Sequence, residues 1–131
     1  MKNFEDEGLI VLGDLVINNS DNSNEVMSGT YIITGDLTFT GQRLDFRQAT
    51  FIVFGETKIE MDYDYGIYTK GNQYELSIFS LDNIRYNDSW KNYGTSTPTT
   101  ITALFYTEES IMINTVMSKL VIEGALFARA N

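Results

Sequence analysis

Three acidic residues recur at one place in a repeated pattern. Asp14 lies in Leu12-Gly13-Asp14-Leu15-Val16-Ile17, Asp36 in Thr34-Gly35-Asp36-Leu37-Thr38-Phe39, and Glu56 in Phe54-Gly55-Glu56-Thr57-Lys58-Ile59. If the repeats stack, equivalent positions lie about 4.8 Å apart. Three carboxylates in such a column repel one another unless a cation or a base such as Lys58 intervenes. The chemistry open to the column is therefore cation binding, or that of a calcium-dependent polysaccharide-acting β-helix enzyme. Such an enzyme also needs an Arg or Lys near its acids, and none follows the first two copies. The competing reading is a set of corner carboxylates facing solvent.

A second acidic pair, Asp62 and Asp64, flanks Tyr63 ahead of Gly66. Alternating carboxylates before a glycine resemble the front of a calcium loop, where hard oxygens converge from one turn. The closing bidentate Glu of the EF-hand pattern is missing. An acidic turn in solvent explains the pair equally. Asp21, Asn22, Asn24 and Glu25 offer further oxygens, in a stretch whose composition suits a surface loop.

Nucleophilic catalysis has little to work with. The chain has no Cys and no His, so no thiolate, no usual zinc ligand and no usual base near neutral pH. Ser and Thr are plentiful, with nothing to activate them. No catalytic residue and no cofactor is assigned, calcium being the one ion considered. Tyr63, Tyr65, Tyr68, Tyr86, Trp90 and Tyr93 form a dense aromatic set. Flat rings with polar handles suit sugar faces and protein interfaces, so these six are the candidate binding surface.

The elements that must position these residues follow from the repeat. Its glycines are 22 and then 20 residues apart, each after an apolar run and before an alternating one. Repetition at such a period marks a solenoid, whose units bury their apolar faces against neighbours. Glycine suits the corners because it reaches positive φ and leaves room for a stacked coil. Leu15 and Ile17, Leu37 and Phe39, and Thr57 and Ile59 alternate inward. The runs 9–12, 31–33 and 51–54 are apolar on both faces, as in strands covered on both sides.

Residues 62–100 break the period and read as an aromatic-rich insertion or as decorated coils. The pattern returns at Thr107-Glu108-Glu109-Ser110-Ile111, with Glu109 in the glycine's place. Residues 119–127 read as a further strand–Gly–strand unit bent at Gly124. The predicted fold is all-β: a short right-handed parallel β-helix, the alternative being an antiparallel β-sandwich with glycine-marked turns. The 131 residues form a single domain, with repeats over about 8–61 and 101–131.

Composition agrees. The chain is 43% apolar, with 17 aromatic residues (8 Phe, 8 Tyr, 1 Trp) and one Pro, a mix that favours strands. Its net charge is −9, and its nine basic residues are scattered. Nucleic acid and anionic membrane surfaces would be repelled. No segment has the apolar length of a membrane span. The opening residues are not a signal peptide, and the chain ends in strand-like sequence. A domain excised from a larger protein is expected.

Two stretches carry a resemblance. Ala103 to Ile113, followed by Leu120 to Arg129, resembles a segment of bacterial envelope proteins associated with pilus assembly. The Gly-Asp-Leu repeats are similar to polymer-forming β-solenoids of the bactofilin kind. The resemblance covers about half the chain, through short structural motifs. It implies a β-helix with a scaffolding role in the bacterial cell envelope or surface, and it transfers no catalytic residue. The aromatic region 62–94 departs from a bare polymer-forming solenoid. The expected function is a structural scaffold or interaction module, not an enzyme, which associates with protein partners or itself through uncapped ends. A carbohydrate-binding module using the Tyr and Trp residues is the alternative, with the calcium-dependent enzyme behind it.

Overall fold

The computed structural model describes residues 8–19, 26–68, 75–88, 99–115 and 120–129, with the side chains of 42–43, 61–68, 88, 99–101, 114–115 and 120–124 outside that description. Ten strands follow in order: β1 Leu9–Val11, β2 Leu15–Asn19, β3 Val26–Ile33, β4 Leu37–Val53, β5 Thr57–Tyr68, β6 Leu76–Ser80, β7 Ile84–Asp88, β8 Thr99–Thr107, β9 Ile111–Thr115 and β10 Leu120–Ala128. Every pairing is parallel. The sandwich alternative is thereby excluded, since hairpins and meanders pair antiparallel strands. The chain is a parallel β-solenoid.

Two ladders carry the coils. The first runs β1–β3–β4–β6–β8–β10 and has six rungs. The second runs β2–β4–β5–β7–β9 and has five. Strand β4 serves both because it bends at Gly41 and Gln48, each at positive φ (107° and 49°). Its middle pairs with Val26 and Met27 of β3 and with Gly66 to Tyr68 of β5.

Inward side chains form columns at rung spacing. One reads Leu9, Tyr31, Phe51, Ile78, Phe105, Leu126. Another reads Ile17, Phe39, Ile59, Tyr86, Ile113. Phe51 is their meeting point. It stacks on Tyr31 (centroids 4.8 Å, planes 14° apart) and meets Phe39 and Phe46 edge to face at 5.1 and 5.7 Å. Tyr31 donates its hydroxyl to the Ser28 carbonyl. Burial raises its pKa above the usual tyrosine range.

Residues 62–100 are not a break in the solenoid. Strands β6 and β7 lie inside that span, in register with the rungs on both sides. Of the two readings, decorated coils is the one that fits: successive coils advance by 22, 20, 27, 27 and 21 residues. Gly124 is not a corner either. It sits within β10, opposite Ala103. The apolar runs before each glycine are also not covered on both sides. Their inward members are packed, but Ile10 is 68% exposed.

The glycine corners owe their residue type mainly to crowding. Only Gly13 among the three has a positive φ, of 116°. A Cβ on Gly55 would lie 2.1 Å from Asp36 Oδ1 and 2.7 Å from the Gly35 carbonyl oxygen, and Gly35 is as crowded. Replacing Gly55 by Ala must push the stacked corners apart, at a cost of about 3 kcal/mol. Chemical denaturation of Gly55→Ala against the parent chain measures it. The buried Thr57 hydroxyl has no hydrogen-bond partner. Its column neighbours are Leu37 and Ile84. Thr57→Val keeps the shape and removes the unsatisfied group, so it should stabilise the fold by about 1 kcal/mol in the same assay.

Candidate functional site

The acidic column exists, and its carboxylates are engaged. Asp14 Oδ1 accepts the Asp36 N–H at 2.8 Å, and Asp36 Oδ1 accepts the Glu56 N–H at 2.9 Å. Each carboxylate thus caps the corner of the next coil, in the space the glycine leaves. Glu56 is longer and turns away. It pairs with Arg85 at 3.2 Å and with Lys58 at 3.9 Å. The column is thus held by donors of the fold, with Asp14 at an exposed corner and Asp36 and Glu56 half-buried. Among the described residues no group of three or more acids converges in the way a metal ion requires.

Later corners use another device. Ser80 donates its hydroxyl to the Gly55 carbonyl at 2.6 Å, and Thr107 donates to the Asp82 carbonyl. Thr107 Oγ1 also accepts the Glu109 N–H at 3.0 Å. Asn83 Oδ1 accepts the Ser110 N–H at 3.1 Å, repeating the bond that Asp14 and Asp36 make. Asp82 and Glu109 therefore occupy the glycine position, and Glu109 does so as its sequence alignment predicts.

Of the six residues of the aromatic set, the structure places the side chain of Tyr86 alone. Tyr86 lies in the core column between Ile59 and Ile113 and is 6% exposed. It is a packing residue rather than part of a surface, because its place in the alternation of β7 points it inward. Tyr63, Tyr65 and Tyr68, with Asp62 and Asp64, fall on β5, where their side chains lie outside the description. Trp90 and Tyr93 lie outside the described residues, as do Ser20 to Glu25.

Two surfaces stand out, of which sequence reasoning missed the first and expected the second. The first is the outer face of the six-rung ladder. Its central column reads Ile10, Ile32, Ile52, Phe79, Tyr106, Phe127. Leu12, Phe54 and Leu81 stand exposed along its corner edge. The signal was in the apolar runs themselves, once one face of each is assigned to solvent. At the far end Tyr106 donates to Glu108 at 2.6 Å, and Arg129 pairs with Glu108 at 3.2 Å. The hydrogen bond to Glu108 raises the Tyr106 pKa. The five-rung ladder differs, its outer column being Val16, Thr38, Lys58, Arg85 and Met112, beside Asn18, Thr40, Glu60 and Asn87.

The second surface is the trailing end. Ile113 and Leu126 occupy inward columns yet remain 44% and 45% exposed. At the leading end Leu9, Val11 and Leu15 are only partly buried against the core. Among the described residues, β1, β2, β9 and β10 each pair along one side alone. No helix there is long and apolar enough to cross a membrane.

Among the described residues, fold and surfaces define a parallel β-solenoid whose terminal strands pair on one side alone, with one face whose central column is apolar and one that carries charge. No protein-family model, curated protein or solved structure matches it.

The engaged carboxylates lead to a direct test. Asp36→Asn keeps an oxygen acceptor for the Glu56 N–H and should cost less than 0.5 kcal/mol or so. Asp36→Ala leaves that donor without its partner and should cost about 1 kcal/mol. Added calcium should leave the melting temperature of the parent and both variants unchanged. A calcium-dependent rise lost in both variants would restore the cation column.

Proposed function

We propose that this chain is a structural scaffold and interaction module, non-enzymatic, that assembles end to end through its open coils. The observation that carries this reading is the pair Ile113 and Leu126. Their columns are buried in the middle rungs and left half-open at the last one. A next strand would bury Leu126, and the leading strand of a second copy has the right side chains. Continuing the six-rung ladder places Leu9 on Leu126 and Ile10 on Phe127, while the five-rung ladder, one rung shorter, leaves one rung open between Ile113 and the next copy's Ile17.

Such a contact joins two different surfaces, so it does not close on itself and builds a chain of copies. Unpaired strand edges supply the backbone hydrogen bonds, and the half-open columns supply apolar burial. The net charge of −9 opposes it, so association should strengthen as salt screens that repulsion. The setting proposed is a bacterial cell-envelope or surface assembly, supported by the resemblance of 103–129 and of the Gly-Asp-Leu repeats. A pilus-associated partner that offers an open β-edge would be joined in the same way.

Sedimentation velocity across about a hundredfold range of concentration tests the reading. Mass should grow with concentration, alike in calcium and in chelator, and more strongly at higher salt. Leu126→Asp buries a charge in the joint and should abolish the growth without unfolding the solenoid. A parent chain that stays monomeric throughout would overturn end-to-end assembly.

A further inference from the structure

We propose that a second copy of this chain docks on the outer face of the six-rung ladder, with the two solenoid axes antiparallel. This contact is independent of end-to-end stacking, because it uses outward side chains and not strand edges.

The centre of the face is apolar, and the column beside it (Thr30, Thr50, Ser77, Leu104, Ala125) carries no charge, in a protein that is acidic overall. Its central column is Ile10, Ile32, Ile52, Phe79, Tyr106 and Phe127. Ile10 and Phe127 are 68% and 54% exposed. Along the corner edge, backbone bonds align Leu12, Thr34, Phe54, Leu81, Glu108 and Arg129. In that edge column the charged pair is Glu108 and Arg129, which neutralise each other at 3.2 Å. With a net charge of −9, two copies repel over most approaches, and this face is a neutral one.

Size selects the orientation. The first three rungs of the central column are aliphatic and the last three aromatic. A two-fold axis along the strands sets Ile10 against Phe127, Ile32 against Tyr106, and Ile52 against Phe79. Every rung then packs one aliphatic on one aromatic side chain, and the two sheets keep an even separation of about 10 Å. The parallel arrangement sets aromatic on aromatic at one end and Ile on Ile at the other, which wedges the sheets apart. In the edge column the antiparallel pair opposes Phe54 to Leu81, Thr34 to Glu108 and Leu12 to Arg129, so no like charges meet.

The extent of the face sets the strength. Six rungs span about 24 Å and the outward columns about 13 Å. Two copies would bury roughly 900 Å² in total, at the low end for specific interfaces. A contact of this size is that of a weak, transient dimer.

The chain has no Cys, so single introduced cysteines report cleanly. An Ile32→Cys chain is mixed with a Tyr106→Cys chain and treated with a short bis-maleimide. The antiparallel dimer brings these two positions opposite each other, whereas like positions are offset by three rungs, about 14 Å along the axis. End-to-end stacking also leaves Tyr106 and the next copy's Ile32 three rungs apart. Mixed covalent dimers with little self-crosslinking are the expected result. Self-crosslinked dimers without mixed ones would overturn the antiparallel arrangement. Absence of both at concentrations up to about a millimolar would mean that this face serves a different partner. In sedimentation, Ile52→Lys should weaken the dimer at least tenfold while end-to-end growth persists, and Leu126→Asp should do the reverse. A dimer indifferent to Ile52→Lys would also overturn the proposal.

Discussion

Each coil of this protein must lie one backbone hydrogen bond from the last, and the corner is where that spacing is hardest to keep. A parallel ladder fixes neighbouring strands about 4.8 Å apart. At a corner the strand turns, the ladder is interrupted, and donors and acceptors must still be met. The first corners solve this with two residues at once. Glycine removes a Cβ that would collide with the coil beneath, and the aspartate of that lower coil fills the space with an acceptor. Neither residue works alone, because the cavity that the glycine leaves is the one that the carboxylate occupies.

The corner device also sets what can happen next to it. Glu56 stands where Asp stands one coil earlier, and its longer side chain leaves for Arg85. The following corner then takes Asp82 without a glycine, and its carbonyl is secured by the Thr107 hydroxyl one coil on. A change of one methylene in one side chain thus accompanies a change of chemistry in the rest of the solenoid. Inside, the aromatic residues concentrate around Phe51, where three rings meet one, in the coils of 20 and 22 residues. The longer coils carry Ile78, Ile84, Phe105 and Tyr86 inward, so the core stays filled at those levels too.

Much of the architecture was legible in the sequence. The glycine period, the inward alternation of Leu15 and Ile17, and the alignment of Glu109 with the glycines all describe what the coils do. Apparent loss of period after residue 61 had a physical origin: the corner motif changed from Gly-Asp to a hydroxyl two residues earlier, and the coil lengthened to 27 residues. Gly124 misled because a glycine in a strand and a glycine at a corner look alike without the register. Tyr86 misled for a related reason. Aromatic density was visible in the sequence, while inward or outward direction depends on the phase of β7, which the ladder alone fixes. The exposed column from Ile10 to Phe127 needs residues 117 positions apart to share one line, and no local pattern reveals that.

A solenoid also differs from a closed domain in how it handles its own boundaries. Closing a sheet into a barrel removes its edges, whereas stacking coils always leaves two ends and as many flat faces as the coil has sides. Selection can cover such surfaces, charge them or use them. On the five-rung ladder they are charged, with Lys58, Arg85 and Glu60 facing outward. On the six-rung ladder the central outward column is uncharged, and the edge column holds the Glu108–Arg129 pair. The apolar columns that stand open, from Ile10 to Phe127 and at Ile113 and Leu126, carry no charge in a chain of net charge −9. Solubility alone would favour the opposite distribution. The assembly proposed above would account for both exceptions with one cause.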